Sequence, residues 1–301
     1  MPRYRQIGDR PYRRYARCDR LEGMANIQMS DSTETVPSQA AERPAGPKVG
    51  KVGTGIVLEI LAAGLRDFRA APLHGISVGA IYAVGGWILV LLLLLFDLPF
   101  LVYPLAAGFA LIAPFIATAF YAISRSLERG EPPSWRSMFR AAKRATRSDL
   151  GWMALVTGFS LFIWMDIAAV LFFSFIGLEA LDWHELLHEV FGTPMGLLFL
   201  AVGNGVGAFL ALAVFSFSVT SFPMLFDRDV DFVTAMVTSV KVVLANPFPM
   251  VLWAVTIACL MALSLLSGLF GLLMALPVLG HASWHLYRRV ISLPAAPDPG
   301  I

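Results

Sequence analysis

Uncharged apolar stretches of about 20 residues or more are the feature that most limits what this chain of 301 residues can fold into. The longest, 248–287, has no Asp, Glu, Lys or Arg. A helix rises 1.5 Å per residue and a bilayer core is about 30 Å thick, so this run is long enough for two spans. The turn between them should fall near Ser267, Gly268 and Gly271. Charged residues make up 15% of the chain, against about 25% in a soluble domain. The sequence therefore predicts an all-α, polytopic transmembrane bundle.

About six spans are predicted, at 75–96, 100–123, 151–177, 194–222, 248–267 and 269–287. Seven Lys and Arg residues lie between the second and third spans, whereas the loop 179–193 has four acidic residues and no basic one. Because basic loops stay in the cytoplasm, both termini are expected on the cytoplasmic side of a bacterial inner membrane. Around the membrane domain at 75–291 we expect a disordered basic and polar tail at 1–50, a cytoplasmic juxtamembrane segment at 51–74 and a C-terminal tail at 292–301.

Two short segments outside the spans have apolar residues at helical spacing. One follows Ser134 and the other follows Asp231, and both openings are good helix caps. We interpret them as two cytoplasmic interfacial amphipathic helices. An offset of 97 residues superimposes them and the spans that follow, which indicates either a parallel internal repeat or the shared pattern of interfacial helices.

One carboxylate, Asp166, falls near the middle of the third predicted span. A charge at that depth is costly unless it is paired, protonated or faces water. Asn204 in the fourth span is a candidate polar partner. These two residues are the candidate intramembrane functional site, and they motivate the hypothesis of a small-solute transporter or channel.

Three histidines, His74, His281 and His285, are predicted at a similar depth near the cytoplasmic face. Imidazoles that converge can bind copper, zinc or haem iron. The alternative is that they are interface anchors at headgroup level. A metal site requires that their side chains meet in space.

His184, Glu185 and His188 have the spacing of the HExxH zinc-protease motif. A catalytic zinc needs a third protein ligand, and the fourth span supplies no His, Asp or Glu. A loop of this length is also too short to form a substrate cleft. The segment is better interpreted as an amphipathic turn on the periplasmic surface.

Three segments resemble a bacterial family of predicted six-span integral membrane proteins of unknown function: PLHGISVGAIYAVGG from Pro72, ERGEPPSW from Glu128 and GHASWHLYRRVI from Gly280. The resemblance runs over about 72–291 and implies the fold and the membrane setting. Some members carry a cytochrome c oxidase subunit I label, which implies haem and copper. Six spans and five histidines do not match the roughly twelve spans and six histidine ligands of such a core.

The chain contains no complete catalytic set, so a non-catalytic membrane scaffold or accessory factor is favoured over an enzyme. The transporter and a respiratory haem or copper protein are the alternatives. No cofactor is expected. The expected partners are the lipid bilayer and another membrane protein or a second copy. No nucleic acid is expected, because the basic residues lie beside apolar spans, where they contact anionic lipid.

Overall fold

Helices account for nearly all of the fold, which a computed structural model describes for residues 48–96, 116–145, 149–177 and 183–292. The first helices are α1 (Ile56–Ala70), α2 (Pro72–Phe96), α3 (116–128) and α4 (Trp135–Ala145). They are followed by α5 (Asp149–Phe175), α6 (Trp183–Gly192), α7 (Pro194–Ser218) and α8 (Ser221–Asp227). The last helices are α9 (Phe232–Ala245), α10 (Pro247–Leu266) and α11 (Leu272–Val290). Two strands, β1 (Lys48–Val49) and β2 (Ile291–Ser292), form an antiparallel pair.

Four stretches of the described residues are long and apolar enough to cross a membrane: Pro72–Leu92, Asp149–Phe175, Pro194–Asp227 and Pro247–Leu266. The prediction of an α-helical polytopic membrane protein is therefore confirmed. Residues 100–115 of the second predicted span, 100–123, lie outside the described residues. The sixth, 269–287, coincides with most of α11, which is not among these four stretches.

The predicted turn in the long apolar run is confirmed. It separates α10 from α11 at 267–271, with Gly268 and Leu269 at φ of 66° and 71°. Glycine adopts this left-handed conformation freely, whereas Leu269 does so at a cost. The indole Nε1 of Trp87 donates a 2.7 Å hydrogen bond to the Gly268 carbonyl, which ties the turn to α2.

Close packing against α11 organises the bundle. A Cβ atom on Gly79 of α2 would lie 2.7 Å from the Leu273 Cα, and one on Gly64 of α1 would lie 2.6 Å from the Val278 carbonyl oxygen. Small residues let helix backbones approach in this way. Gly75, one turn before Gly79 in α2, faces Phe68 and Pro277.

Helix α1 was not predicted, since 51–74 was assigned to a juxtamembrane segment. Its buried residues recur at helical spacing: Ile56, Val57, Ile60, Ala63 and Gly64. Ile56, Val57 and Ile60 join residues from α3, α5 and α8–α11 in the main hydrophobic core. About half of the residues of α11 are buried, and the fully buried Trp284 and Tyr287 belong to this core.

A single buried side chain, Asn246, holds the first strand against the bundle. Its Oδ1 accepts a 2.8 Å hydrogen bond from the Val52 amide, and its Nδ2 donates to the carbonyls of Gly50 and Val242. Asn246 also separates α9 from α10. The prediction of a disordered tail at 1–50 lies outside the described residues up to 47. Lys48 and Val49 pair with β2, and the Gly50 amide donates a hydrogen bond to the Val290 carbonyl.

Both predicted surface helices are present as α4 and α9. The Asp231 carboxylate caps α9 by accepting a 2.8 Å hydrogen bond from the Thr234 amide. Helix α9 does not only lie on a surface, because Ala235, Thr238 and Val242 are buried in the protein. The opposite side exposes Val233, Val237 and Leu244, of which Leu244 is 74% exposed.

Candidate functional site

Four polar side chains from three helices form a continuous hydrogen-bonded network, here called the polar network. Asp67 comes from α1, Ser124 from α3, and His281 and His285 from α11. Asp67 Oδ2 lies 2.7 Å from Ser124 Oγ and 2.8 Å from His285 Nε2, and Ser124 Oγ lies 2.8 Å from His281 Nδ1. Ser124 and His281 are completely buried.

The hydrogen-bond directions follow from the proton count. A hydroxyl group has one proton, and Ser124 donates it to Asp67. Ser124 must therefore accept from His281, which places the His281 proton on Nδ1. The other ring nitrogen, Nε2, is buried and has no hydrogen-bond partner among the described residues.

This order of donors differs from that of a nucleophilic triad. An activated serine donates to a histidine, which removes its proton. Here Ser124 donates to a carboxylate and accepts from the histidine, and it has no access to solvent. The arrangement links three helices and orients two imidazoles, and it does not prepare Ser124 for attack.

The electrostatics of the polar network centre on Asp67, which precedes the first candidate span. Burial raises the pKa of this carboxyl group, but hydrogen bonds from His285 and Ser124, together with the electrostatic effect of the nearby histidines, outweigh that effect. The resulting pKa lies below the ordinary value for aspartate. Asp67 is therefore held as a carboxylate between hydrogen-bond donors.

A second set of polar contacts lies one turn further along α11. Tyr287 donates a 2.9 Å hydrogen bond to Asp227 and accepts one of 2.7 Å from Arg228. Glu128 accepts from the indole of Trp284 at 2.9 Å and pairs with Arg288 at 3.3 Å. Two of the segments that carry the family resemblance, beginning at Glu128 and at Gly280, therefore meet in space.

The three candidate metal histidines do not form one cluster. His281 and His285 are both in the polar network, whereas the His74 ring lies 4.3 Å from the Trp135 ring. In the described part of the chain, no three His, Cys, Asp or Glu side chains are grouped so that they could hold a metal ion. His281 bonds to Ser124 and its ring packs on Phe120. The metal hypothesis gains no support from this geometry.

The HExxH segment forms the helix α6. The side chains of His184 and Glu185 lie outside the described residues. His188 is exposed, and its ring lies 3.5 Å from the position of a Cβ atom on Gly192.

The candidate intramembrane residues lie on α5 and α7, here called the arm. Asp166 is exposed on α5, between the exposed side chains of Phe162 and Val170. Asn204 donates a hydrogen bond to the Leu200 carbonyl within α7 and lines an open cleft of about 870 Å³ between the two helices. The structure therefore places both residues on the same pair of helices.

Sequence reasoning missed Asp67 and Ser124. The signal for Asp67 was its position seven residues after Ile60, on the apolar face of an amphipathic helix. A carboxylate on such a face requires partners. For Ser124 no comparable signal exists, because a serine at the end of an apolar helix is common.

The fold and its polar network define this molecule as a polytopic α-helical membrane protein. Residues 102–227, less than half of the chain, match the family described as predicted integral membrane protein (DUF2189). This match confirms the resemblance to a predicted integral membrane protein family of unknown function. No curated protein and no solved structure matches the chain.

Proposed function

We propose that this protein is a non-catalytic membrane scaffold or accessory factor whose arm binds a transmembrane helix of a partner membrane protein. One observation carries the proposal: the most apolar parts of the two arm helices bury almost nothing within the protein. In the most apolar 18-residue windows, 6% of the α5 residues and 0% of the α7 residues are buried, against 22% for each of the other two candidate spans. These parts of the two helices therefore have a large surface for another helix.

The chemistry of the arm favours a protein helix over lipid alone. Positions Gly203 and Gly205 of α7 have no described atom within 4 Å of a Cβ atom, so a neighbouring backbone can approach there. Gly207 is different, because it already packs on Trp164. Asp166 adds an exposed carboxylate among apolar side chains, and a partner that supplies a hydrogen-bond donor or a cation offsets the cost of exposing it to lipid.

The polar network supports the non-catalytic part of the proposal, since it links helices and contains no accessible nucleophile. The transporter hypothesis rests on Asp166, which is exposed on α5 and is not among the residues that line the cleft of the arm. The polar residues of that cleft include Thr157, Ser160 and Asn204. That hypothesis and the respiratory metal hypothesis stay predictions. A bacterial inner membrane with both termini cytoplasmic is proposed from the positions of Lys and Arg beside the spans.

Photo-crosslinking in native membranes tests the binding of a partner helix. A photoreactive residue is placed at Gly205 or Val170 on the arm, and at Leu266 as a control that is 84% exposed on α10. We expect one protein adduct of the same mass from both arm positions and none from Leu266. Lipid adducts alone from the arm would contradict the proposal, and an adduct of twice the chain mass would assign the surface to a second copy.

The role of Asp166 is tested in the same assay. Asp166→Asn should lower the adduct yield about fivefold, as expected for an interhelical polar contact worth about 1 kcal/mol. Asp229→Asn makes the same charge change at an exposed residue outside the α-helices and should leave the yield unchanged. Equal yields from both variants would exclude Asp166 from the interface.

A further inference from the structure

A second apolar surface is a groove between α1, α10 and α11, formed by residues outside the arm. This α1 groove has a volume of about 490 Å³, within the range of small-molecule sites. Leu61, Ala62 and Leu65 of α1 form one wall, and residues from Leu260 of α10 to Val278 of α11 form the other. Its lining is almost entirely apolar, apart from two serines and the backbone.

Two exposed arginines continue the α1 wall of the groove. Arg66 lies one helical turn after Ala62, and Arg69 lies one turn after Leu65. Side chains on a helix lean toward its N-terminus, so both guanidinium groups lean back toward the groove. Neither arginine has an ion-pair partner among the described residues, which leaves two positive charges at one end of an apolar channel.

The depth of the groove follows from the packing of α2. Gly75 faces Pro277 and Gly79 faces Leu272 and Leu273, so the α11 wall lies beside the first turns of the span Pro72–Leu92. Arg66 and Arg69 come just before that span begins. The apolar channel is therefore at the depth of acyl chains, and the arginines are at the level of phosphate groups.

We propose that the α1 groove binds an anionic phospholipid, with one acyl chain along α10 and α11 and the phosphate on Arg66 and Arg69. Guanidinium groups bind phosphate oxygens through paired hydrogen bonds, which gives the site a preference for a headgroup with net negative charge. The occupant is a lipid of the surrounding bilayer, and it uses a surface separate from the arm.

Native mass spectrometry of the full chain in mild detergent tests this site, with phosphatidylglycerol and phosphatidylcholine as the added lipids. We expect the protein to retain phosphatidylglycerol preferentially. Arg66→Gln with Arg69→Gln should weaken that binding about tenfold or more and remove the preference. Arg136→Gln with Arg140→Gln, which removes two exposed arginines from α4, is the matched control. It should keep the preference for phosphatidylglycerol, because no α4 residue lines the α1 groove.

A second variant tests the acyl-chain part of the site without changing charge. Ala62→Trp fills the groove from an exposed position, and it should weaken binding of both lipids while the unfolding temperature stays unchanged. If Ala62→Trp lowers the unfolding temperature, Ala62→Phe replaces it. Equal losses from the two arginine pairs, or unchanged binding in the groove-filling variant, would overturn the proposal.

Discussion

The helices around α11 and the two helices of the arm pack in opposite ways. In α11, the side chains of Trp284, Leu286 and Tyr287 are completely buried. In α7, by contrast, none of the most apolar window is buried within the protein. The spans Pro247–Leu266 and Pro194–Asp227 have the same mean hydropathy of 2.2 in their most apolar windows, but 22% of the first window and 0% of the second are buried. Hydropathy therefore indicates contact with an apolar environment and does not indicate whether that environment is protein or lipid.

The two regions also use their polar residues differently. Around α11, Asp67, Ser124 and Asn246 form hydrogen bonds between elements that are far apart in sequence. On the arm, the hydroxyl groups of Thr157 and Ser160 and the amide of Asn204 bond to carbonyls within their own helices. Polar side chains therefore stabilise tertiary structure in the first region, whereas these three side chains of the arm satisfy only their own donors.

The largest expected effect on stability comes from adding a side chain where two helix backbones are in close contact. Gly64→Val should lower the free energy of unfolding by about 3 kcal/mol, because the added carbon meets backbone atoms of Val278 and Ala282 that cannot rotate away. Gly205→Val in the arm should change it by less than about 0.5 kcal/mol. Thermal unfolding in mild detergent, followed by circular dichroism, compares the two, and equal effects would remove the distinction between the regions.

The next effect concerns the polar network. Asp67→Asn replaces a carboxylate that accepts from Ser124 and His285, and we expect a loss of about 2 kcal/mol. Glu59 is on the same helix as Asp67 and forms an exposed ion pair with Arg289 of α11. Glu59→Gln breaks this pair and should cost less than about 1 kcal/mol. The same unfolding assay measures both, and a smaller loss at Asp67 than at Glu59 would show that the network does not stabilise the fold.

A somewhat smaller loss of stability is expected from removing a buried asparagine side chain, and two asparagines allow a matched comparison. Asn246→Ala removes hydrogen bonds to Val52, Gly50 and Val242, with an expected loss of about 1.5 kcal/mol. Asn204→Ala removes one bond within α7 and should have almost no effect on stability. Hydrogen exchange at the Val52 amide gives an independent measurement, and it should accelerate only in Asn246→Ala.

The smallest effect is the dependence of stability on pH. The folded pKa of Asp67 lies below the unfolded value of about 3.9, so its carboxylate stabilises the fold at pH above that value. This contribution is lost as the pH falls through the folded pKa. The stability difference between the wild type and Asp67→Asn should therefore narrow as the pH is lowered from about 5 to about 3. A difference that stays constant over this interval would exclude Asp67 as the titrating group.

Much of the fold could be predicted because its signals are local. The turn at 267–271 and the Asp231 cap depend on residues within a few positions of each other. The candidate sites could be predicted only in part: His281 and His285 were identified as individual residues, but their partners come from α1 and α3, more than 150 positions away.

By itself, the sequence determined that this protein is an α-helical membrane protein with a turn inside its longest apolar run, because span length and charge are properties of consecutive residues. Only the tertiary structure decided that α1 packs on α11, that Asp67 joins Ser124 and two histidines, and that α5 and α7 remain exposed. These features depend on which helix faces meet, and similar apolar helices have many alternative partners of nearly equal energy. Close glycine contacts and buried hydrogen bonds distinguish among them, and both require the three-dimensional arrangement.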